Sequence, residues 1–337
     1  MKKLLKEFKR HLLDTVLDFL WAQWSALGVP GHARSEQTRI VDPEALILLT
    51  CSLGRNDARL FDEMLDWISL HERLVQIQRL KNMARDEEFA GLPVLRAVGA
   101  WMGHNKAGVK WRRLMELDAA PAEAEALFCS RDGKPLPVVK KPDPGFERHG
   151  FLRDKVSLRR HAQIFDPELP SNLLIRLRAF FGVNSRAEVM TYLLTHERAG
   201  AAEIAQATYY YKRTVYNALS EMRLSGLLQL WEWGTENLYS PKGDLWQGFK
   251  ASEWITWAPL FRALEYIWKF AESMQGGDID EQLAATDLNV LIRDISPLLQ
   301  KANLLGHLQI PTPGADKGYI DRGIGALKGI LDLLVEG

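Results

Sequence analysis

Apolar residues recur along most of this chain at the three- and four-residue intervals of amphipathic helices, and a period-two alternation occurs near residue 230. In the opening stretch MKKLLKEFKRHLLDTVLDFLWAQW, Leu5, Phe8, Leu12, Val16, Phe19 and Leu20 fall on one side, which predicts a helix that buries that stripe. Asp14 and Asp18 interrupt the apolar run and no small-residue cleavage pattern follows, so a helix of the fold is a better reading than a targeting segment. Pro43 sits where the first turn of a helix tolerates proline, opening PEALILLTCSL, which stops near Gly54. Asn56 or Asp57 is placed to cap DARLFDEMLDWI, whose Leu60, Met64 and Trp67 share a face; Asp62, Glu63 and Asp66 read as its solvated side. VQIQRLKNMA, GLPVLRAVGAWM and AGVKWRRLMEL add further short helices, and the first of these is a candidate for the last helix of a second, wingless helix-turn-helix.

Between Ser130 and Pro170 the texture changes. DGKPLPVVKKPDPG is rich in proline, glycine and lysine, which reads as an extended connector and a domain boundary. Beyond Pro241 the helical period returns. APLFRALEYIWKFAESM places Leu260, Leu264, Ile267 and Phe270 with Ala271 on one stripe; a GGD turn, ATDLNVLIRDISPLLQKANLL and GIGALKGILDLLVE follow. A chain of 337 residues has room for more than one domain. The pattern divides it into a helical N-terminal domain over 1–130, a basic connector over 131–170, a central domain over 171–245 and a helical C-terminal domain over 246–337.

The central domain carries the most specific signal. AEIAQATYYYKRTVYNALSEMRLSGLLQLWEWGTENLYSP, from Ala202 to Pro241, reads as helix, turn, helix and then β-hairpin. Glu203, Ile204, Ala205 and Ala207 fill the first helix's set; Val215, Leu219 and Met222 form an inward stripe on the second. Ahead of them NSRAEVMTYLLTH supplies a supporting helix, with Ser185 and Glu188 at capping-box spacing and Val189, Leu193 and Leu194 facing inward. Gly226 stands where a left-handed residue stops the second helix. The hairpin is LLQLWEW, a turn over Gly234 to Asn237, and Leu238 to Ser240 before Pro241.

This order resembles the winged helix-turn-helix regulators of the ArsR and MarR kind, whose second helix lies in the DNA major groove while the hairpin touches the backbone. The resemblance covers about residues 184–241 and implies a mainly α, multi-domain helical protein with a central winged helix-turn-helix domain carrying a small β-hairpin wing. It implies double-stranded DNA as partner, with Lys212 and Arg213 on phosphates or guanine edges at the start of the reading helix. Thr214, Tyr216, Asn217 and Ser220 are the accompanying candidates on that helix, and Tyr211 and Arg186 the flanking ones. Two positions depart from the pattern: Tyr209 replaces a turn glycine and Tyr211 a helix-capping serine, which leaves Thr208 as the alternative cap. Tyr209, Tyr210 and Tyr211 fit either stacking on the nucleic-acid backbone or packing on a neighbouring domain.

Charge tempers the DNA expectation. Lysine plus arginine and aspartate plus glutamate both number 43, so the chain has no net charge. From Asn184 to Pro241 five basic residues face six acidic ones, few for a domain whose affinity comes from neutralising phosphates. Residues 131–183 hold eleven basic against six acidic residues and would supply the missing phosphate contacts if they lie beside the motif. Glu232 and Glu236 on the hairpin argue against a deep minor-groove contact. The tail beyond 241 is acidic, and helical tails of such regulators commonly pair two copies on palindromic sites, so a homodimer is expected. Trp246, Trp254, Trp257 and Trp268 are candidates for that interface or for docking the tail on the chain's own N-terminal helices.

No constellation of catalytic residues stands out. His71-Glu72 lacks the second histidine of a zincin, and Gly323, Gly325 and Gly329 lack the phosphate-loop spacing and read as close helix packing. Gly314 to Gly318 reads as a loop. Cys51 and Cys129 have no histidine or cysteine cluster around them and read as small buried residues. No cofactor, metal or membrane span is expected, the location follows as cytoplasmic, and the protein reads as a non-enzyme. The expectation is a DNA-binding transcriptional regulator; the alternative is a winged-helix protein-interaction module, antitoxin-like or a scaffold component, without sequence-specific DNA binding.

Overall fold

A computed structural model describes the chain except for residues 32–37, 105, 118–122, 132, 139, 235, 276–279, 308–317 and 336–337, and the side chains of residues 106, 107 and 233. The expected GGD turn and most of the loop around Gly314 lie outside the described residues. The chain is mainly helical. No described helix is long and apolar enough to cross a membrane.

Helix α1 (Lys2–Ala26) buries all six residues of its predicted stripe. Helix α2 (Pro43–Ser52) starts where Asp42 accepts from the amides of Glu44 and Ala45, and α3 (Ala58–His71) starts where Asp57 accepts from Arg59 and Leu60. Each cap satisfies first-turn donors that have no partner inside the helix. Helices α4 (Ile77–Asp86) and α5 (Leu92–Gly103) follow. The next segment, Lys106–Glu116, is wound as a 3₁₀ helix and folds back tightly on α5. A Cβ added at Gly99 would lie 2.7 Å from Leu114 Cβ, so glycine permits this approach.

The connector is folded onto these helices. Strand β1 (Glu125–Ala126) pairs in parallel with β2 (Phe151–Leu152), short helix α6 (Pro144–Glu147) lies between them, and Phe146 and Phe151 are buried. Asp62, Glu63 and Asp66 are not a solvated face. Glu63 and Asp66 are buried; Asp66 accepts from the amides of Arg160, His161 and Ala162, and Asp62 pairs with Arg153 at 2.7 Å. Carboxylates at helix-surface spacing here satisfy the backbone of a strap laid over them.

Past the connector come α7 (Leu173–Phe181), α8 (Ser185–Thr195), β3 (Ala199–Gly200), α9 (Ala201–Thr208), α10 (Lys212–Leu224), β4 (Leu228–Trp233) and β5 (Glu236–Pro241). The three strands form one antiparallel sheet in the order β3-β5-β4. Trp233 pairs with Glu236, so Glu236 and Asn237 belong to the strand rather than the turn. Gly226, at φ 78°, ends α10 as expected. The cap of α8 differs from the capping-box reading: Asn184 accepts from the Arg186 amide, and Glu188 is fully buried elsewhere. A second core binds these elements through Leu174, Leu177, Val189, Leu193, Ile204, Val215 and Leu219.

The tail forms α11 (Trp257–Ser273), α12 (Glu281–Lys301) and α13 (Tyr319–Val335). Their apolar faces join those of α1 to α5 in a single core. Phe19 of α1 meets Trp257 at 5.2 Å and Phe261 at 5.7 Å, and Lys9 lies over the Trp268 ring. Trp246 is buried in the second core with Trp254 packed against it. The first and last thirds, read from sequence as two domains, thus share an interior. Of the described tail glycines only Gly323 packs tightly: an added Cβ would lie 2.3 Å from Leu288 Cδ2, whereas Gly325 faces open space.

Candidate functional site

Helix α10 presents two contrasting sides. Val215, Ala218, Leu219 and Met222 are buried, while Lys212, Arg213, Tyr216 and Asn217 are exposed. Tyr216 is 53% exposed and Tyr211, at the N-cap, 63%. Neither Lys212 nor Arg213 has an ion pair among the described residues, so both charges face solvent. Thr214 and Ser220 are half-buried, and the Ser220 hydroxyl donates to the Tyr216 carbonyl at 2.8 Å. Six of the eight expected contact residues therefore lie along α10, and Tyr211 opens it.

Arg186 is placed differently from its expected role. Its guanidinium is engaged by Glu221 of α10 in a half-exposed pair, which lowers the positive charge available on this side. Part of the basic stretch before the motif is also engaged elsewhere. Arg131 pairs with Asp14, Arg153 with Asp62, and Arg159 approaches Glu63, all on α1 and α3. Arg178 is fully buried. Glu232 and Glu236 are exposed on the hairpin, and Arg198 stacks on Trp231 at 4.2 Å.

The turn between α9 and α10 explains the missing glycine. Tyr209 itself takes the left-handed conformation, at φ 60°, a shape that a bulky residue holds only when its surroundings fix it. Its hydroxyl donates to Glu87 at 2.9 Å, and its carbonyl accepts from Asn82 Nδ2 at 3.0 Å. The Thr208 carbonyl accepts from Arg79 Nε at 2.9 Å. Thr208 is not a cap: its hydroxyl is buried and donates back to Ile204 within α9. Tyr209 thus packs on the helical body, while Tyr211 stays exposed at the open end of α10. Helix α4 lacks the open polar side expected of a reading helix, because Arg79 and Asn82 on its polar side are buried against this turn.

Beneath the turn lies an ionic network that joins both cores. Arg178 of α7 donates to Glu44 and to Glu188 at 2.6 Å each, and Arg79 donates to Glu44 at 2.6 Å and to both oxygens of Asp42. Burial pushes the Asp42 carboxyl up, but the Arg79 charge and hydrogen bonds more than reverse this and leave it below the usual range. The same carboxylates hold Arg79 and Arg178 firmly protonated against the opposing effect of burial. Sequence reasoning missed this cluster. Its one signal was a charge at stripe spacing, Arg178 four residues after Leu174 and next to Leu177.

Cys51 is buried, as expected, and burial pushes its thiol up; Cys129 is only half-buried. No family model matches the chain, and no curated protein or solved structure does either.

Proposed function

We propose that this chain is a DNA-binding transcriptional regulator that reads double-stranded DNA with α10, the second helix of a winged helix-turn-helix. One observation carries the reading: the side of α10 bearing Lys212, Arg213, Tyr216 and Asn217 is open along its length, unobstructed by the chain's own flanking helices. The order α8, β3, α9, α10 and hairpin, with strands arranged β3-β5-β4, agrees with it. In this reading Lys212 and Arg213 hold phosphates or guanine edges, Asn217 faces a base, and Tyr211 and Tyr216 flank them. Two copies on a palindromic site would present two reading heads.

The test replaces Lys212 and Arg213 together with alanine and measures anisotropy on DNA from the protein's own promoter region across a salt series. If both side chains neutralise phosphates, affinity falls and the slope of log K against log salt becomes shallower by about 1.8. Unchanged affinity and slope would remove α10 as the reader.

A second reading has observations of its own. The pairing of Arg186 with Glu221, the engagement of the basic connector by α1 and α3, and the exposed Glu232 and Glu236 leave few free cations around α10. These favour a winged-helix protein-interaction module. It is distinguished by a wild-type chain that binds duplex DNA without preference for its promoter while the K212A/R213A variant behaves alike.

A further inference from the structure

A cleft of about 970 Å³ lies where α8, α9 and the Tyr209–Tyr211 turn face α4 and the end of α12. Its volume falls at the upper end of small-molecule sites. Six aromatic rings line it: Tyr192, Tyr209, Tyr210, Tyr211, Trp254 and His196. Tyr192 stacks on His196 with centroids 3.8 Å apart and meets Trp254 nearly at right angles at 5.3 Å.

The charges on its walls do not balance. Asp86 is paired with Arg85 at 3.0 Å and Glu87 with Lys301 at 3.2 Å. Glu203 is left over. It lines the cleft, is exposed, and has no basic partner among the described residues. Its carboxylate accepts a hydrogen bond from the Tyr192 hydroxyl at 2.8 Å. Burial, with that hydrogen bond, pushes the Tyr192 hydroxyl up. An unpaired carboxylate beside electron-rich ring faces is complementary to a positive group: the carboxylate attracts by charge and the rings by their quadrupole. An anion would meet only repulsion at Glu203.

We propose that this cleft binds a small organic cation with an apolar or aromatic body, its ammonium group set against Glu203 and the Tyr192 and Trp254 rings. The site stands without any role for α10 in DNA reading, and its test contains no DNA.

The full chain is titrated with benzyltrimethylammonium, benzyl alcohol and benzenesulfonate, and binding is followed by ligand-observed NMR and calorimetry. The expected result is saturable binding of the cation, weaker binding of the alcohol and none of the sulfonate. Glu203→Gln, a near-isosteric change at an exposed position, weakens the cation by about two- to fivefold, the scale of one cation-π or exposed charge contact. Glu236→Gln, an equally exposed carboxylate on the hairpin, leaves it unchanged. The proposal is overturned by absence of saturable cation binding, by equal affinity for all three probes, or by an unaltered affinity in Glu203→Gln.

Discussion

Replacing Arg178 with methionine tests whether the buried ionic network holds the two cores together. Arg178 is 1% exposed, and Glu44 and Glu188, which its guanidinium joins, are both fully buried. Glu44 would keep Arg79 and the Gln76 amide, at 2.6 and 2.8 Å. Glu188 would lose its Arg178 partner, while its second oxygen already lacks a hydrogen bond. A buried charge stripped of its partner costs about 3–5 kcal/mol, far above the ~0–1 kcal/mol of a surface pair. Urea unfolding followed by both tryptophan fluorescence and far-ultraviolet circular dichroism should show a lower midpoint of that size. Adding Glu188→Met removes the stranded carboxylate and is expected to recover at least half of the loss, because an apolar pair of similar volume is tolerated there. A loss under about 1 kcal/mol in Arg178→Met, or a double variant less stable than the single one, would refute the reasoning.

Other consequences follow from the same geometry. Asp42 has a folded-state pKa below its unfolded value, so its contribution is fully present above about pH 4 and is lost as pH falls through the folded value. A pH series of unfolding midpoints should therefore show less acid-side loss in Asp42→Asn than in the parent. Tyr209→Phe leaves buried Glu87 with Lys301 alone and is expected to cost about 1–3 kcal/mol, measured by chemical denaturation. Gly323→Ala forces a methyl against buried Leu288 and should lose about 1–3 kcal/mol. Gly325→Ala meets open space in the same helix and should gain about 0.5–1 kcal/mol in the same assay.

The sequence alone determined most of the helices and the hairpin. Helical periodicity located α1 to α5 and α8 to α13, and Asp57, Pro43 and Gly226 marked starts and stops, because caps and amphipathic stripes are local properties of a few consecutive residues. It also located the exposed side of α10, since the residues outside an apolar stripe on a docked helix must face away from the core. Only the tertiary structure decided that the first and last thirds share one interior, that the basic connector lies on Asp62 and Asp66 rather than beside α10, and that Arg186 is tied to Glu221. It alone assembled Asp42, Glu44, Arg79, Arg178 and Glu188 beneath a left-handed Tyr209. Those contacts join residues up to 134 positions apart, and a charge's partner at that distance is fixed by packing, which the spacing of neighbouring residues does not encode.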